Sequence, residues 1–221
     1  MKIRRGKRSA RRGAFKKKRP LTRIPRGFRS QLVARNAELK YLDTVPGAVT
    51  LNLTGTAVLL NGLAEGSGPS NRVGRRVNMK SLLMRLWIDG TGLTSAQAAV
   101  ARVVLVLDRQ ANSATALTFS DLLVTPATYG ALAVNNLDNR ERFRVLFDRS
   151  YALSLNAGRS TVAINKFLRF NPLIPVQYDA ATANAADISS GQLWLAFIGT
   201  SATVTVSLSA LSYCRLRYLD L

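Results

Sequence analysis

The sequence contains no histidine and a single cysteine, Cys214, among its 221 residues. Without histidine the chain has no Ser/His/Asp or Cys/His catalytic arrangement, no histidine-ligated metal site and no imidazole general base. One cysteine excludes an intrachain disulfide and is typical of a reducing compartment. Because Cys214 shares its parity with apolar residues in an alternating segment, we predict a buried thiol rather than a reactive one.

Acidic residues and long apolar runs are also scarce. The 12 Asp and Glu residues are scattered singly, without the D-x-D or E-x-x-E spacing that would pair two carboxylates. No apolar run approaches the ~20 residues that span a bilayer, and no apolar segment of a signal peptide follows the basic N-terminus. We therefore expect no catalytic residue, no metal or other cofactor, no membrane contact and no enzymatic activity.

Positive charge is concentrated at the N-terminus. Of the 32 Lys and Arg residues, 15 lie in residues 1–37, before the first acidic residue, Glu38; the other 17 share the remainder with all 12 acids. The net charge is therefore +15 in the first 37 residues and +5 in the rest. The few apolar side chains of this basic segment cannot offset its charge repulsion and the entropy lost on ordering. We therefore predict a disordered arm over residues 1–40 and a folded domain over residues 41–221.

The arm is predicted to bind nucleic acid, because Lys and Arg replace counterions on phosphates in a salt-sensitive, sequence-independent way. The predicted binding residues are basic and lie in the arm or on the polar side of the last strand: Arg4, Arg5, Lys7, Arg8, Arg11, Arg12, Lys16, Lys17, Lys18, Arg19, Arg23, Arg26, Arg29, Arg215 and Arg217. Eight of them also form patterns typical of nuclear import signals: Arg4, Arg5, Lys7, Arg8, Lys16, Lys17, Lys18 and Arg19. The alternatives are a merely solubilising or nuclear-targeting tail, and ordinary ion pairing for Arg215 and Arg217.

Beyond residue 45 the sequence alternates apolar and polar residues with a period of two. The predicted strands are 49–60, 77–89, 102–108, 142–148, 150–155, 161–170, 173–178, 192–199 and 203–219. The only helix candidates are 119–123, with Ser120 as its N-cap, and 95–102. Eight or nine strands without intervening helices predict an all-β antiparallel sandwich or barrel, either a jelly roll or an immunoglobulin-like topology.

Several segments, in order, resemble one protein family. Residues 66–88 contain an Arg-rich turn followed by a strand with Arg72, Gly74, Lys80 and Ser81, and residues 102–123 contain a strand that ends in Asp-Arg-Gln. Residues 137–154 contain arginines, aromatic residues and an Asp-Arg…Tyr pattern typical of a hairpin. The last pair of predicted strands contains QLWLAFIG and LRYLDL. These motifs resemble the capsid proteins of small circular single-stranded DNA viruses, including geminivirus coat proteins and relatives of the satellite necrosis virus shell.

The resemblance implies a single eight-stranded antiparallel jelly roll with B-I-D-G and C-H-E-F sheets. We assign strand B to 48–60, C to 76–89, D to 101–108, E to 141–155, F to 161–170, G to 173–178, H to 192–199 and I to 203–217. It further implies an icosahedral shell, in the simplest case sixty copies with T=1 symmetry, that packages single-stranded viral DNA or host nucleic acid. The other implied partner is the host nuclear import machinery, with the protein in the virion and, during assembly, in the host cell nucleus.

Two other interpretations stay open. A monomeric, non-capsid nucleic-acid-binding β-domain with a basic tail, or a sugar-binding jelly roll with a basic localisation tail, would have the same composition. The glycine-rich stretch 62–74 lacks the Gly-Lys-Ser/Thr ending of a phosphate-binding loop and precedes a strand, so it predicts a flexible inter-strand turn. Within that stretch and just after it, Arg72, Arg75 and Arg76 are candidates for contact with nucleic acid or with a neighbouring copy.

Overall fold

The computed structural model describes residues 38–94, 97–111, 117–200 and 205–221. In these residues the strands are β1 Glu38–Thr44, β2 Val49–Leu51, β3 Thr56–Leu59, β4 Arg76–Gly92, β5 Ala98–Asp108, β6 Phe143–Ser154, β7 Thr161–Tyr178, β8 Ile188–Ser190, β9 Gln192–Gly199, β10 Thr205–Leu208 and β11 Tyr213–Asp220. The helices are α1 Phe119–Leu122, α2 Pro126–Tyr129 and the 3-10 turns Gly130–Leu132 and Ala185–Asp187. No helix in the described ranges is long and apolar enough to cross a membrane.

The strands form two antiparallel sheets. The first runs β1-β11-β4-β7, with β8 beyond β7, and with β10 and β2 continuing beside the C-terminal part of β4. The second runs β3-β9-β5-β6. With β1 and β2 as strand B and β10 and β11 as strand I, these orders are B-I-D-G and C-H-E-F, so we name them the BIDG sheet and the CHEF sheet. The predicted jelly roll is confirmed.

The strand letters predicted from the sequence are partly wrong. Strand B begins at Glu38, inside the segment assigned to the arm, and the predicted B over 48–60 divides into the end of B and all of C. The predicted C, D and E are therefore D, E and F, while H and I keep their letters. The predicted F and G form the single strand β7, in which residues 170–173 bulge out of the ladder with β4.

A buried ion pair explains why the sequence pattern did not predict strand β1. Lys40 points into the protein and is 3% exposed, which interrupts the expected apolar alternation. Its Nζ lies 2.9 Å from Oδ2 of Asp220 on the neighbouring β11 and 3.4 Å from Glu38. Burial acts to lower the pKa of Lys40, but hydrogen bonding and charge attraction to Asp220, and then to Glu38, outweigh it and raise the pKa.

Of the two predicted helices, one is confirmed. Residues 119–122 form α1, although the residue before its first turn is Thr118 rather than the predicted Ser120. The predicted helix over 95–102 is wrong, because Ala98–Asp108 is strand β5. The alanine-rich segment pairs with β6 on one side and, from Ala101, with β9 on the other, so pairing partners override its helix propensity.

The main hydrophobic core lies between the two sheets. Inward residues of β4 and β11 from the BIDG sheet meet those of β5 and β9 from the CHEF sheet, and all are almost fully buried: Leu82, Met84, Leu86, Ile88, Cys214, Leu216, Val103, Leu105, Leu195 and Phe197. In β4 and β11, period-two alternation therefore reports which face of the strand meets the core.

A second apolar cluster lies on the outer side of the CHEF sheet. Residues 117–137, which are part of the connection from β5 to β6, pack Phe119, Leu122 and Leu123 against Trp194 and Val104. We call residues 117–137 the cover. Because both faces of β5 and β9 are buried, these two strands are apolar almost throughout, whereas strands of the BIDG sheet alternate.

Candidate nucleic-acid interface

Only two of the predicted nucleic-acid-binding residues lie in the described part of the chain. The thirteen residues from Arg4 to Arg29, and with them the predicted import signals, lie outside it. Arg215 and Arg217 are on β11, which pairs with β1 on one side and β4 on the other. Both arginines have the parity that points away from the core.

The inward neighbours of these arginines are buried. Cys214 is 1% exposed and Leu216 is also 1% exposed, as the sequence predicted for this parity. Burial raises the pKa of the Cys214 thiol to about 12, so the thiol stays protonated at neutral pH. The alternation along β11 therefore places Arg215 and Arg217 on the outer face of the BIDG sheet.

Arg215 is held by an ion pair. Its Nε and Nη2 each donate to Asp43 on β1 at 2.7 Å, and its guanidinium lies 4.8 Å from the Tyr41 ring and 5.6 Å from the Tyr213 ring. Hydrogen bonding to Arg215 lowers the pKa of Asp43, so the pair is charged at neutral pH. The alternative of ordinary ion pairing therefore describes Arg215, and its role in nucleic-acid binding stays a prediction.

Arg217 is exposed, and the structure places it in a cross-strand row. The pairing register aligns Tyr41 on β1 with Arg217, Arg217 with Ser81 on β4, and Ser81 with Arg169 on β7. Ser81 is small and buried between two exposed arginines. Adjacent strands are ~4.8 Å apart, so the row extends over roughly 15 Å.

Three further rows repeat this arrangement along the sheet. The second contains Asp43, Arg215, Leu83 and Phe167; the third contains Tyr213, Arg85 and Asn165; the fourth contains Trp87 and Ala163. Trp87 is 45% exposed, Phe167 53% and Tyr41 42%. We call the charged and aromatic members of these rows the open face: Tyr41, Asp43, Arg85, Trp87, Phe167, Arg169, Tyr213, Arg215 and Arg217.

A surface hollow lies at one end of the open face. It has a volume of about 370 Å³ and is lined by Arg85, Trp87, Asn165 and Leu211, among others. An exposed indole, a guanidinium and an amide thus surround one concave space. Such a mixture of one aromatic wall and a few polar groups is typical of small ligand sites.

The prediction that Arg72 contacts nucleic acid or a neighbouring copy is wrong. It is fully buried: Nε donates to the Leu63 carbonyl at 3.1 Å, Nη1 to the Gly74 carbonyl at 2.9 Å, and Nη2 to the Ala180 carbonyl. Its guanidinium also lies 4.5 Å from the Tyr178 ring. The stretch connects β3 to β4 as an inter-strand loop, and Arg75 and Arg76 remain exposed.

Two other arginines hold the cover to the CHEF sheet. Arg102 on β5 donates to both carboxylate oxygens of Asp148 at 2.8 and 2.6 Å, to Asn135 at 2.9 Å and to the Ala133 carbonyl. Arg142 similarly forms a bidentate contact with Asp108 at the end of β5, at 2.8 to 3.2 Å, and its Nη1 lies 3.6 Å from Oδ2 of Asp121 in the cover. These cations are occupied by structural contacts and are poor candidates for binding phosphate.

The open face contains residues that the sequence analysis did not single out. Arg85 and Trp87 lie in a strand that was predicted, as do Phe167 and Arg169, but no sequence signal showed that the two strands and β11 are neighbours. The parity was available, because all four have the polar parity of their alternating strands. In the described residues, no group of three or more Cys, Asp or Glu side chains is arranged to hold a metal ion.

Comparison with known proteins gives three findings. Residues 10–221 match the model of a family described as "Satellite tobacco necrosis virus coat protein". A "Coat protein" from Maize white line mosaic Satellite virus is 28% identical over 158 residues, covering 69% of this chain and 70% of the relative. A solved structure from Desmodium yellow mottle tymovirus covers 83% of this chain and 88% of that chain, with 11% identity and a TM-score of 0.35.

Proposed function

Because this chain belongs to the satellite tobacco necrosis virus coat protein family, we propose that it builds a closed viral shell of identical copies and packages single-stranded nucleic acid. The observation that carries the proposal is the segregation of charge: +15 in the first 37 residues, joined to a jelly-roll domain with +5. A structural, non-enzymatic role agrees with the family. The arm neutralises the genome, and the jelly-roll domain forms the wall.

The basic arm acts through phosphate neutralisation. The basic residues from Arg4 to Arg29 supply positive charge rather than base-specific contacts, so binding is independent of sequence and weakens steeply with salt. In a shell of sixty copies with T=1 symmetry, arms of +15 would together carry about 900 positive charges, of the same order as the ~10³ phosphates of a small genome. Closed symmetry also requires each domain to present complementary surfaces to its neighbours.

The outer surface of the cover supports contact with a neighbouring copy. Leu132 is 69% exposed, Val134 67% and Leu137 70%, and Tyr129 is 59% exposed beside them in sequence. Apolar side chains clustered at an exposed surface favour burial against a partner. A second copy of the chain is the partner that a shell supplies.

The genome type and the route of assembly are finer parts of the proposal. The resemblance in residues 66–154 favours a circular single-stranded DNA genome, and the clusters Arg4–Arg8 and Lys16–Arg19 favour recognition by host nuclear import machinery. The protein would then occur in the virion and, during assembly, in the host nucleus. Digestion of the packaged material with DNase and with RNase distinguishes a DNA genome from an RNA genome.

Electron microscopy of purified full-length protein tests the assembly. We expect closed shells of megadalton mass, and we expect deletion of residues 2–19 to give shells without nucleic acid, because most of the neutralising charge is removed. Absorbance at 260 and 280 nm of the isolated particles measures the load. Full loading of arm-deleted shells would contradict the packaging role, and a stable monomer at high concentration would favour the non-capsid nucleic-acid-binding alternative.

A further inference from the structure

The open face combines two chemical groups that act together on single-stranded nucleic acid. Arg85, Arg169 and Arg217 are exposed, and the structure gives them no carboxylate partner within ion-pair distance among the described residues. Trp87 and Phe167 expose about half of their side chains within the same four rows. Guanidinium groups contact phosphates, while aromatic rings stack on unpaired bases.

We propose that the open face of the BIDG sheet is a binding site for unpaired nucleotides, in which Trp87 and Phe167 stack on bases and Arg85, Arg169 and Arg217 contact phosphates. The site rests on the proposed function, since it would receive the same nucleic acid as the arm. It adds to the arm a preference for unpaired over paired bases, which charge alone does not give.

The charge of the face selects the kind of ligand. The open face has four arginines and one carboxylate, Asp43, so its net charge is +3. Asp89 lies beyond Trp87 on β4, and including it lowers the net charge to +2. A second copy docking this face on itself would oppose arginines with arginines, which like-charge repulsion disfavours. A polyanion with exposed flat rings satisfies both features of the surface.

Arg215 has a positioning role in this site. Its bidentate contact with Asp43 fixes the guanidinium beside the rings of Tyr41 and Tyr213. The hollow between Arg85, Trp87 and Asn165 offers a base one aromatic wall and an amide that both donates and accepts hydrogen bonds. Tyr41 also lies only six residues after Arg35, so the basic arm and the open face are close along the sequence.

Intrinsic fluorescence tests the stacking directly. The chain has two tryptophans, of which Trp194 is 3% exposed and Trp87 is 45% exposed. Oligothymidylate of about a dozen nucleotides, added to dissociated full-length subunits, is expected to quench Trp87, and the quenching is expected to disappear in Trp87→Phe. Inorganic polyphosphate, which offers charge without bases, is expected to bind without quenching. Binding of the oligonucleotide with unchanged Trp87 emission would overturn the proposal.

Matched substitutions test each chemical group. Phe167→Ala is expected to weaken single-strand binding about 5-fold or more and to leave duplex binding unchanged, whereas Tyr129→Ala, an exposed ring on the cover, changes neither. The double substitution Arg169→Gln and Arg217→Gln is expected to lower the slope of log K against log salt concentration by about 1.4. The control is Arg149→Gln with Arg159→Gln, which removes two exposed arginines elsewhere on the protein and is expected to lower the slope by less than half of that amount. Equal effects of the two arginine pairs, or of the two aromatic substitutions, would overturn the site.

Particle formation by the same variants separates this inference from the proposed function. Trp87→Phe and Phe167→Ala are expected to form closed shells with wild-type yield, because the face contacts nucleic acid and not a neighbouring copy. Loss of shells together with unchanged oligonucleotide binding would overturn the site and favour a contact between copies. A chain that never forms shells, yet shows quenching of Trp87 by the oligonucleotide, would overturn the proposed function and support the site.

Discussion

The outer faces of the two sheets are built in opposite ways. On the CHEF sheet, outward residues such as Val104 and Trp194 are apolar, and the cover buries them under Phe119 and Leu122. On the BIDG sheet, the outward residues include arginines and aromatic rings that remain exposed, among them Arg217, Trp87 and Phe167. The covered face therefore contributes to stability, while the open face is available for a ligand.

The order of apolar and polar residues in the strands reflects this difference between the covered and the open face. β9 is apolar at nearly every position and buried throughout, as expected for a strand with both faces covered. β11 alternates between buried Cys214 or Leu216 and outward Arg215 or Arg217. A continuous apolar strand thus predicts that some other segment must pack over it, and an alternating strand does not.

The largest expected effect separates the two tryptophans. Trp194→Ala should destabilise the domain by about 3–5 kcal/mol, because it empties a space in the packed cluster beneath the cover. Trp87→Ala should cost about 1 kcal/mol, because only half of its side chain is buried. Urea unfolding of dissociated subunits measures both. Similar losses for the two variants would contradict the distinction between a covered and an open face.

Two arginines give the next comparison. Arg102→Met should destabilise by about 3 kcal/mol, since it leaves Asp148 and the cover's Ala133 carbonyl without their donor. Arg217→Met should change stability by no more than about 0.5 kcal/mol, because the residue is exposed. The same variants should reverse their order in a nucleic-acid binding assay with folded protein. An unfolding midpoint that moves equally in both would argue against the structural role of Arg102.

The smallest expected effect concerns Asp43. Asp43→Asn should steepen the salt slope of single-strand binding by at most about 0.7, because it releases Arg215 and removes a negative charge from the open face. The pKa of Asp43 is lowered in the folded protein, so its contribution to stability is present above the carboxyl pKa of the unfolded chain and disappears as the pH falls through the folded value. Wild type and variant should therefore begin to converge in stability near pH 4, and the convergence should be complete below the lowered pKa of the folded protein. Divergence at low pH would contradict the ion pair.

Much of the fold was predictable because each strand reports its own inward face. Residues 192–199 and the first turn at Phe119 were predicted with nearly correct bounds. Strand β1 was missed because Lys40 occupies an inward position, and its partner Asp220 is 180 residues away in sequence. The helix predicted over 95–102 failed because local alanine content says nothing about pairing with β6 and β9.

The candidate site was predictable only in part. The outward direction of Arg215 and Arg217 was predicted from their parity, but the hydrogen bonds that Arg215 donates to Asp43 depend on a strand that the sequence did not reveal. The sequence makes Arg72 a candidate contact in a glycine-rich turn, and only the packed loop shows that carbonyl oxygens and the Tyr178 ring surround it. Local sequence reports charge and parity, but not the partner across a sheet.

By itself, the sequence determined where positive charge is concentrated and which segments alternate as strands, because charge density and period-two patterns are properties of neighbouring residues. Tertiary structure alone decided which arginines are occupied and which are exposed. Arg85, Arg169 and Arg217 lie on one face only because β4, β7 and β11 pair in register, although they are far apart along the chain. Strand pairing is a long-range choice, and it brings together residues that no local pattern connects.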